Sequence, residues 1–130
     1  MDIISKLPKV TESFEAFLKD VKLIGPNGLP IERRGFFSVG NGWLPLMVEL
    51  IMKMIDAGWN KRTLQVKEKF GGLRFYIGLG NDRIWELLEE YEDKSFETCE
   101  SCGAPGKVVQ RYGWLATMCN ECSDHLGYKE

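Results

Sequence analysis

Two Cys-x-x-Cys pairs hold every cysteine of this chain, Cys99-Glu100-Ser101-Cys102 and Cys119-Asn120-Glu121-Cys122, with sixteen residues between them. That spacing is a signature of a four-thiolate zinc site. Each pair bends into a tight knuckle that aims two sulfurs at one point, and two such points supply the tetrahedral shell that zinc prefers. Other uses of paired cysteines fit less well. Disulfides need an oxidising compartment, whereas Met1-Asp2-Ile3-Ile4-Ser5-Lys6 shows no apolar secretory segment, so a reducing, cytoplasmic setting is expected. A thioredoxin-like redox site uses one pair beside a βαβ unit, and here a second pair stands where a ligand partner belongs. A catalytic zinc keeps an open position, which four thiolates take away. The expected cofactor is therefore structural Zn2+ held by Cys99, Cys102, Cys119 and Cys122.

Length bounds the rest. A chain of 130 residues suits a main domain with a small metal-clamped appendage, expected at 1–98 and 99–130. No apolar run is long enough to span a bilayer, so no membrane partner is expected. The formal charge is −2, and a four-thiolate zinc site takes it to about −4. Such a chain is no general polyanion binder, and contact with nucleic acid would need a local basic patch.

The N-terminal half reads as two helices around a loop-rich stretch. Residues 11 to 22 repeat Phe14, Phe17, Leu18 and Val21 at helical spacing, with Thr11 placed to cap. From Gly25 to Gly42, glycine and proline punctuate a loop with a short strand expected at Arg34 to Val39. Gly40-Asn41-Gly42 precedes a helix, where backbone amides can hold an anion, but Pro45 occupies the third glycine position of a dinucleotide loop and the signal is discounted. Residues 43 to 57 predict the most apolar helix: Met47, Leu50, Ile51, Met54 and Ile55 form one face, Val48 and Met52 extend it, and Glu49, Lys53 and Asp56 make a narrow polar stripe.

A hairpin follows, Thr63 to Phe70 and Leu73 to Gly78 around a two-residue turn at Gly71-Gly72. In that register Leu64, Val66, Phe70, Leu73, Phe75 and Ile77 face inward, while Gln65, Lys67, Lys69, Arg74 and Tyr76 face out. Two placements are uncomfortable: Lys69 opposite Arg74, and Glu68 on the apolar face across from Phe75. Either they mark a binding site, Lys67, Glu68, Lys69, Arg74 and Tyr76, or a bulge at the glycines turns Glu68 outward and the lysines guard a sheet edge. Asn81 or Asp82 then caps a third helix with Ile84, Leu87, Leu88 and Tyr91 inward and an acidic outer face, and this helix runs almost into Cys99. Between the cysteine pairs, Lys107 to Arg111 and Trp114 to Met118 read as the two strands of a zinc ribbon turned at Tyr112-Gly113. The expected fold class is α+β: helices packed on a small antiparallel hairpin sheet, continued by a C-terminal zinc ribbon.

Lys67-Glu68-Lys69-Phe70-Gly71-Gly72-Leu73-Arg74-Phe75-Tyr76 with Cys99-Glu100-Ser101-Cys102-Gly103-Ala104-Pro105-Gly106, then Trp114, Thr117 and Cys119, resembles a family of small, mostly uncharacterised proteins from bacteria, phages and prophages. The likeness covers about residues 58 to 122. In that family the fourth ligand often looks like histidine; here Cys122 stands in its place, with His125, the only histidine, three residues on as a reserve ligand or bystander. The resemblance implies a phage or prophage setting and a small accessory role, with no catalytic residues to carry over.

Three function classes remain. The first is a non-enzymatic, zinc-stabilised binding protein that docks on a host protein, with inhibition of a defence system such as a restriction or CRISPR complex as the role its setting implies. The second is nucleic-acid binding through Arg33, Arg34, Lys61, Arg62, Lys67, Lys69 and Arg74, with Tyr76 able to stack on a base. The third is a small-molecule pocket that takes a nucleotide through Lys67, Lys69 and Arg74. A single histidine, no Ser/His/Asp set and no open metal position argue against an enzyme.

Overall fold

Helix α2, Leu44–Asp56, carries the largest apolar face of the chain, and the other elements pack around it. The computed structural model describes residues 7–31 and 36–130. Pro45 sits in the first turn of α2, where its missing N–H is no loss. Leu44, Met47, Leu50, Ile51 and Met54 are fully buried, and Val48 and Ile55 flank them. Met52, expected to widen this face, is 57 % exposed, because 100° per residue places it beside Asp56 on the wet side.

Helix α1, Leu7–Val21, begins before the expected start, so Thr11 lies inside it rather than capping it. Its Phe14 and Leu18 reach the core. Helix α3, Asp82–Ser95, is capped by Asn81, whose Oδ1 accepts the Ile84 N–H at 2.9 Å. It buries Ile84, Leu87 and Tyr91 against α2 and the sheet. Both helices thus follow the apolar spacing read above.

The sheet has the order β1-β2-β3, with β1 Phe37–Ser38, β2 Thr63–Lys69 and β3 Gly72–Ile77. Strand β1 joins parallel to β2, which adds a parallel edge to the expected hairpin. The expected strand start at Arg34 lies outside the described residues, as do Arg33 and Met1–Lys6. Val66, Leu73 and Phe75 on the inner face meet the helices, and Phe37 stacks edge-on to Phe14 at 5.1 Å.

The hairpin register differs from the expected one by a step. The turn is Phe70-Gly71, with φ of 54° and 85°, the pair of positive angles that fits the strand twist of a tight hairpin. Gly72 belongs to β3 instead, since a Cβ there would run into the Phe96 ring. Lys67 therefore faces Arg74, Lys69 faces Gly72, and Glu68 faces Leu73 on the inner side. Phe70 is left 65 % exposed in the turn. An irregularity between Thr63 and Gln65 turns Leu64 outward as well. Glu68 is neither stranded nor expelled: its Oε2 accepts the Gly71 N–H at 2.7 Å and ties the turn.

Strands β4 Lys107–Arg111 and β5 Trp114–Met118 form a second, antiparallel sheet, and the short helix α4, Asn120–Leu126, follows. Val109, Ala116, Met118 and Cys99 make a small separate core. This ribbon is joined to the main body at Gly40-Asn41-Gly42-Trp43. Cβ atoms at Gly40 and Gly42 would collide with the carbonyls of Glu100 and Cys99 respectively. The Gly42 N–H donates to Glu100 O at 2.9 Å, and the buried Trp43 Nε1–H donates to Thr98 O at 2.8 Å. The discounted glycine signal therefore has a cause, which is close passage of two backbones rather than an anion.

Gly42→Ala is expected to destabilise the protein by roughly 2–3 kcal/mol, because the added methyl meets fixed backbone. Gly78→Ala, whose Cβ would make only ordinary contacts with Arg62, should stay within about 0.5 kcal/mol of the parent. Chemical denaturation checks both, and equal stability of the two variants would remove the role given to this junction.

Candidate metal centre

The first cysteine pair is positioned by the junction just described. Beyond α3, the Cys99 N–H donates to Ala104 O at 2.7 Å and the Gly103 N–H to Cys99 O at 2.9 Å, closing a tight knuckle. Gly103 takes the left-handed φ of 84° that this turn requires. The second pair is held differently. Cys119 is the N-cap of α4 and its sulfur accepts the Cys122 N–H at 3.4 Å, so Cys122 is carried on the helix's first turn.

All four sulfurs lie within 4.8 Å of one another, and Cys102 Sγ and Cys119 Sγ are 3.6 Å apart. A disulfide would bring two sulfurs to about 2.05 Å. Four sulfurs at about 2.3 Å from a common ion stand about 3.8 Å apart along each edge of a tetrahedron. The cluster fits the second arrangement, and it can hold a metal ion.

The surroundings of the sulfurs agree. At Cys99 burial opposes ionisation, yet the amides of Cys119, Cys102 and Ser101 hold its thiol below the ordinary range. At Cys102 burial pushes the thiol up, against a hydrogen bond that the Ala104 backbone N–H donates to its sulfur. Cys122 is driven higher, first by burial and then by the three neighbouring sulfurs. Ionisation is thus favoured at Cys99 and opposed at Cys102 and Cys122, and at Cys122 the charge of Cys99 is among the causes. A cation at the centre removes that conflict, since metal binding releases the remaining protons. His125 is exposed in the last turn of α4, apart from the sulfur cluster.

Around the knuckle, a polar joint ties the ribbon to the hairpin turn. Glu100 N–H donates to Thr117 O at 2.9 Å, and the buried Thr117 hydroxyl donates to Gly71 O at 2.6 Å. Burial raises the Glu100 carboxyl to about 7; the Thr117 amide works against this and the charge of Glu68 adds to it. Neither the joint nor Trp43 was evident from sequence, although Thr117 and Gly71 both lie in the segments that carry the resemblance.

The other expected site residues are elsewhere. Lys67, Lys69, Arg74 and Tyr76 occupy the outer face of the main sheet, and Glu68 its inner face. Lys67 Nζ lies 5.9 Å from the Tyr76 ring centre, and Lys69 Nζ 5.6 Å from that of Phe70. Arg74 pairs with Glu92 of α3 at 3.4 Å, while its Nε is buried without a partner among the described residues.

The purified protein is expected to carry one metal ion per chain. Cys119→Ser should weaken its retention by more than about a hundredfold, and His125→Ala should leave it unchanged. Chelation should speed amide exchange first in residues 99–122, and falling pH should release the ion as protons claim the sulfurs. Elemental analysis with exchange mass spectrometry reads all of this; full metal content in Cys119→Ser would exclude the four-sulfur set.

The chain matches no protein-family model, no curated protein and no solved structure.

Proposed function

We propose that the chain is a non-catalytic binding protein, closed by a structural zinc ion, that docks on a protein of its host. The donor set carries this reading: four converging sulfurs fill a tetrahedral shell and leave no position for water or substrate. A tetrahedral set of four thiolates suits zinc or an iron–sulfur centre, and zinc needs no redox partner. The resemblance of the hairpin and knuckle supports a phage or prophage setting, and a bacterial defence complex is the partner class that setting suggests.

The far end of the ribbon favours a protein partner. Tyr112 is 95 % and Trp114 76 % exposed, and Phe70, Val108 and Leu115 add further apolar surface. Val108 and Leu115 flank Thr117 on the ribbon face that meets the hairpin turn beside Phe70. Of the cations at this end, Arg111 donates to Leu126 O at 2.8 Å and lies over the Tyr128 ring, while Lys129 is paired with Gln110 through the backbone. An end rich in exposed Trp and Tyr is the chemistry of a protein-interface anchor.

Tagged protein should retain a stoichiometric host protein through a high-salt wash. Tyr112→Ala with Trp114→Ala should reduce that retention at least about tenfold, with metal content and thermal unfolding unchanged. Retention that the double variant leaves intact, or the lack of any stoichiometric host protein, would count against docking through the ribbon.

A further inference from the structure

We infer that the outer face of the β1-β2-β3 sheet binds single-stranded nucleic acid, at a site separate from the ribbon end. The helices cover the inner face, where Val66 and Phe75 are buried. On the opposite face β2 presents Gln65, Lys67 and Lys69, and β3 presents Arg74 and Tyr76. Three cations stand there, with no carboxylate from the strands themselves. Lys67 lies directly across from Arg74, a like-charge pair that destabilises a sheet unless something anionic sits over it. Glu92 reaches Arg74 from α3, whereas neither lysine has a carboxylate within salt-bridge distance among the described residues.

Beside these cations runs a shallow groove of about 730 Å³, lined by Phe36, Ser38, Leu64, Gln65, Lys67 and Tyr76. It combines the parts a single strand needs. Tyr76, 40 % exposed, offers a ring for stacking, and Leu64, at 42 %, an apolar neighbour. Gln65 and Ser38 can bond base edges, and Lys67 and Lys69 can meet successive phosphates. Leu64 is available because the strand irregularity turned it out of the core. Splayed bases can lie on such an open sheet, whereas a duplex keeps its bases stacked inside and offers only phosphates. The chain's net acidity does not prevent this, because the α3 carboxylates Glu86 and Glu90 are paired with Arg83 and Lys94, and no carboxylate is among the residues that line the groove.

The test uses the full, metal-loaded chain and a fluorescently labelled oligothymidine, read by anisotropy at low salt. Micromolar binding is expected, with a duplex of the same length at least about tenfold weaker. Tyr76→Ala should weaken single-strand binding about tenfold. Lys67→Gln with Lys69→Gln should weaken it and reduce the salt slope by about 1.4, at about 0.7 per phosphate contact. Trp85→Ala, exposed on α3, and the ribbon double variant should bind as the parent does, and that result separates this site from the protein-docking one. Absence of binding, equal affinity for the duplex, equal affinity for thymidine monophosphate, or insensitivity to Tyr76→Ala would each overturn the proposal.

Discussion

The close passage of two backbones at Gly40-Asn41-Gly42 is the constraint on which the arrangement of the molecule depends. A two-stranded ribbon has too little apolar surface to fold alone, and its own cluster holds few residues besides the cysteines. It gains order from two directions: the four-cysteine cluster, which can hold a metal ion, gathers its two ends, and the cradle before α2 seats the first knuckle. The Trp43 indole fixes the chain at Thr98, one residue before the first ligand. The free energy of metal binding can thus act on the main body as well as on the ribbon. Because the interface is main chain against main chain, no side-chain rearrangement relieves an added methyl, and glycine is the only residue that fits.

How far the sequence could be read follows from which interactions are local. Apolar spacing located α2 and α3 closely, since a helix face is set within a few turns, and the strands Lys107–Arg111 and Trp114–Met118 emerged at their expected bounds. Cysteine spacing was equally informative, as thiolates at that separation have few other uses in one short module. What escaped was long-range. Gly40 and Gly42 resembled a weak anion loop because glycine signals permissive backbone without telling what approaches it. The Gly72 position was assigned to the turn on local rules, whereas Phe96, far along the chain, is what forbids a side chain there. The helix after Cys119 gave no apolar repeat of its own, being stabilised by its sulfur cap and its place beside the centre.

The one-step change in register decides how the hairpin is to be understood. With Phe70 in the turn, Glu68 caps that turn instead of lying unpaired in the core, and one of the two expected irregularities becomes a structural contact. The other survives in altered form, because Lys67 replaces Lys69 opposite Arg74. A positive φ at Phe70 costs about 1 kcal/mol, and the charge-assisted bond from Gly71 to Glu68 can offset it. The same turn then supplies the carbonyl that receives Thr117. The hairpin is consequently one wall of the ribbon module as well as part of the main sheet.

Charge on this chain is sorted by face, so its net value conceals what each surface can meet. Helix α3 gathers Glu86, Glu89, Glu90 and Asp93 on its wet side, partly paired with Arg83 and Lys94. The outer sheet face holds cations, and the ribbon end holds exposed aromatic side chains. A sheet that needed only solubility would be served by mixed charges across the strands, which stabilise rather than oppose one another. Keeping Lys67 against Arg74 therefore requires a compensating partner. Within the fold Glu92 answers for Arg74 alone, and the Tyr76 ring gives Lys67 only a weak cation–π contact at 5.9 Å. The remaining imbalance is directed at solvent over an open groove, and it is the feature of this sheet that packing and solubility leave unexplained.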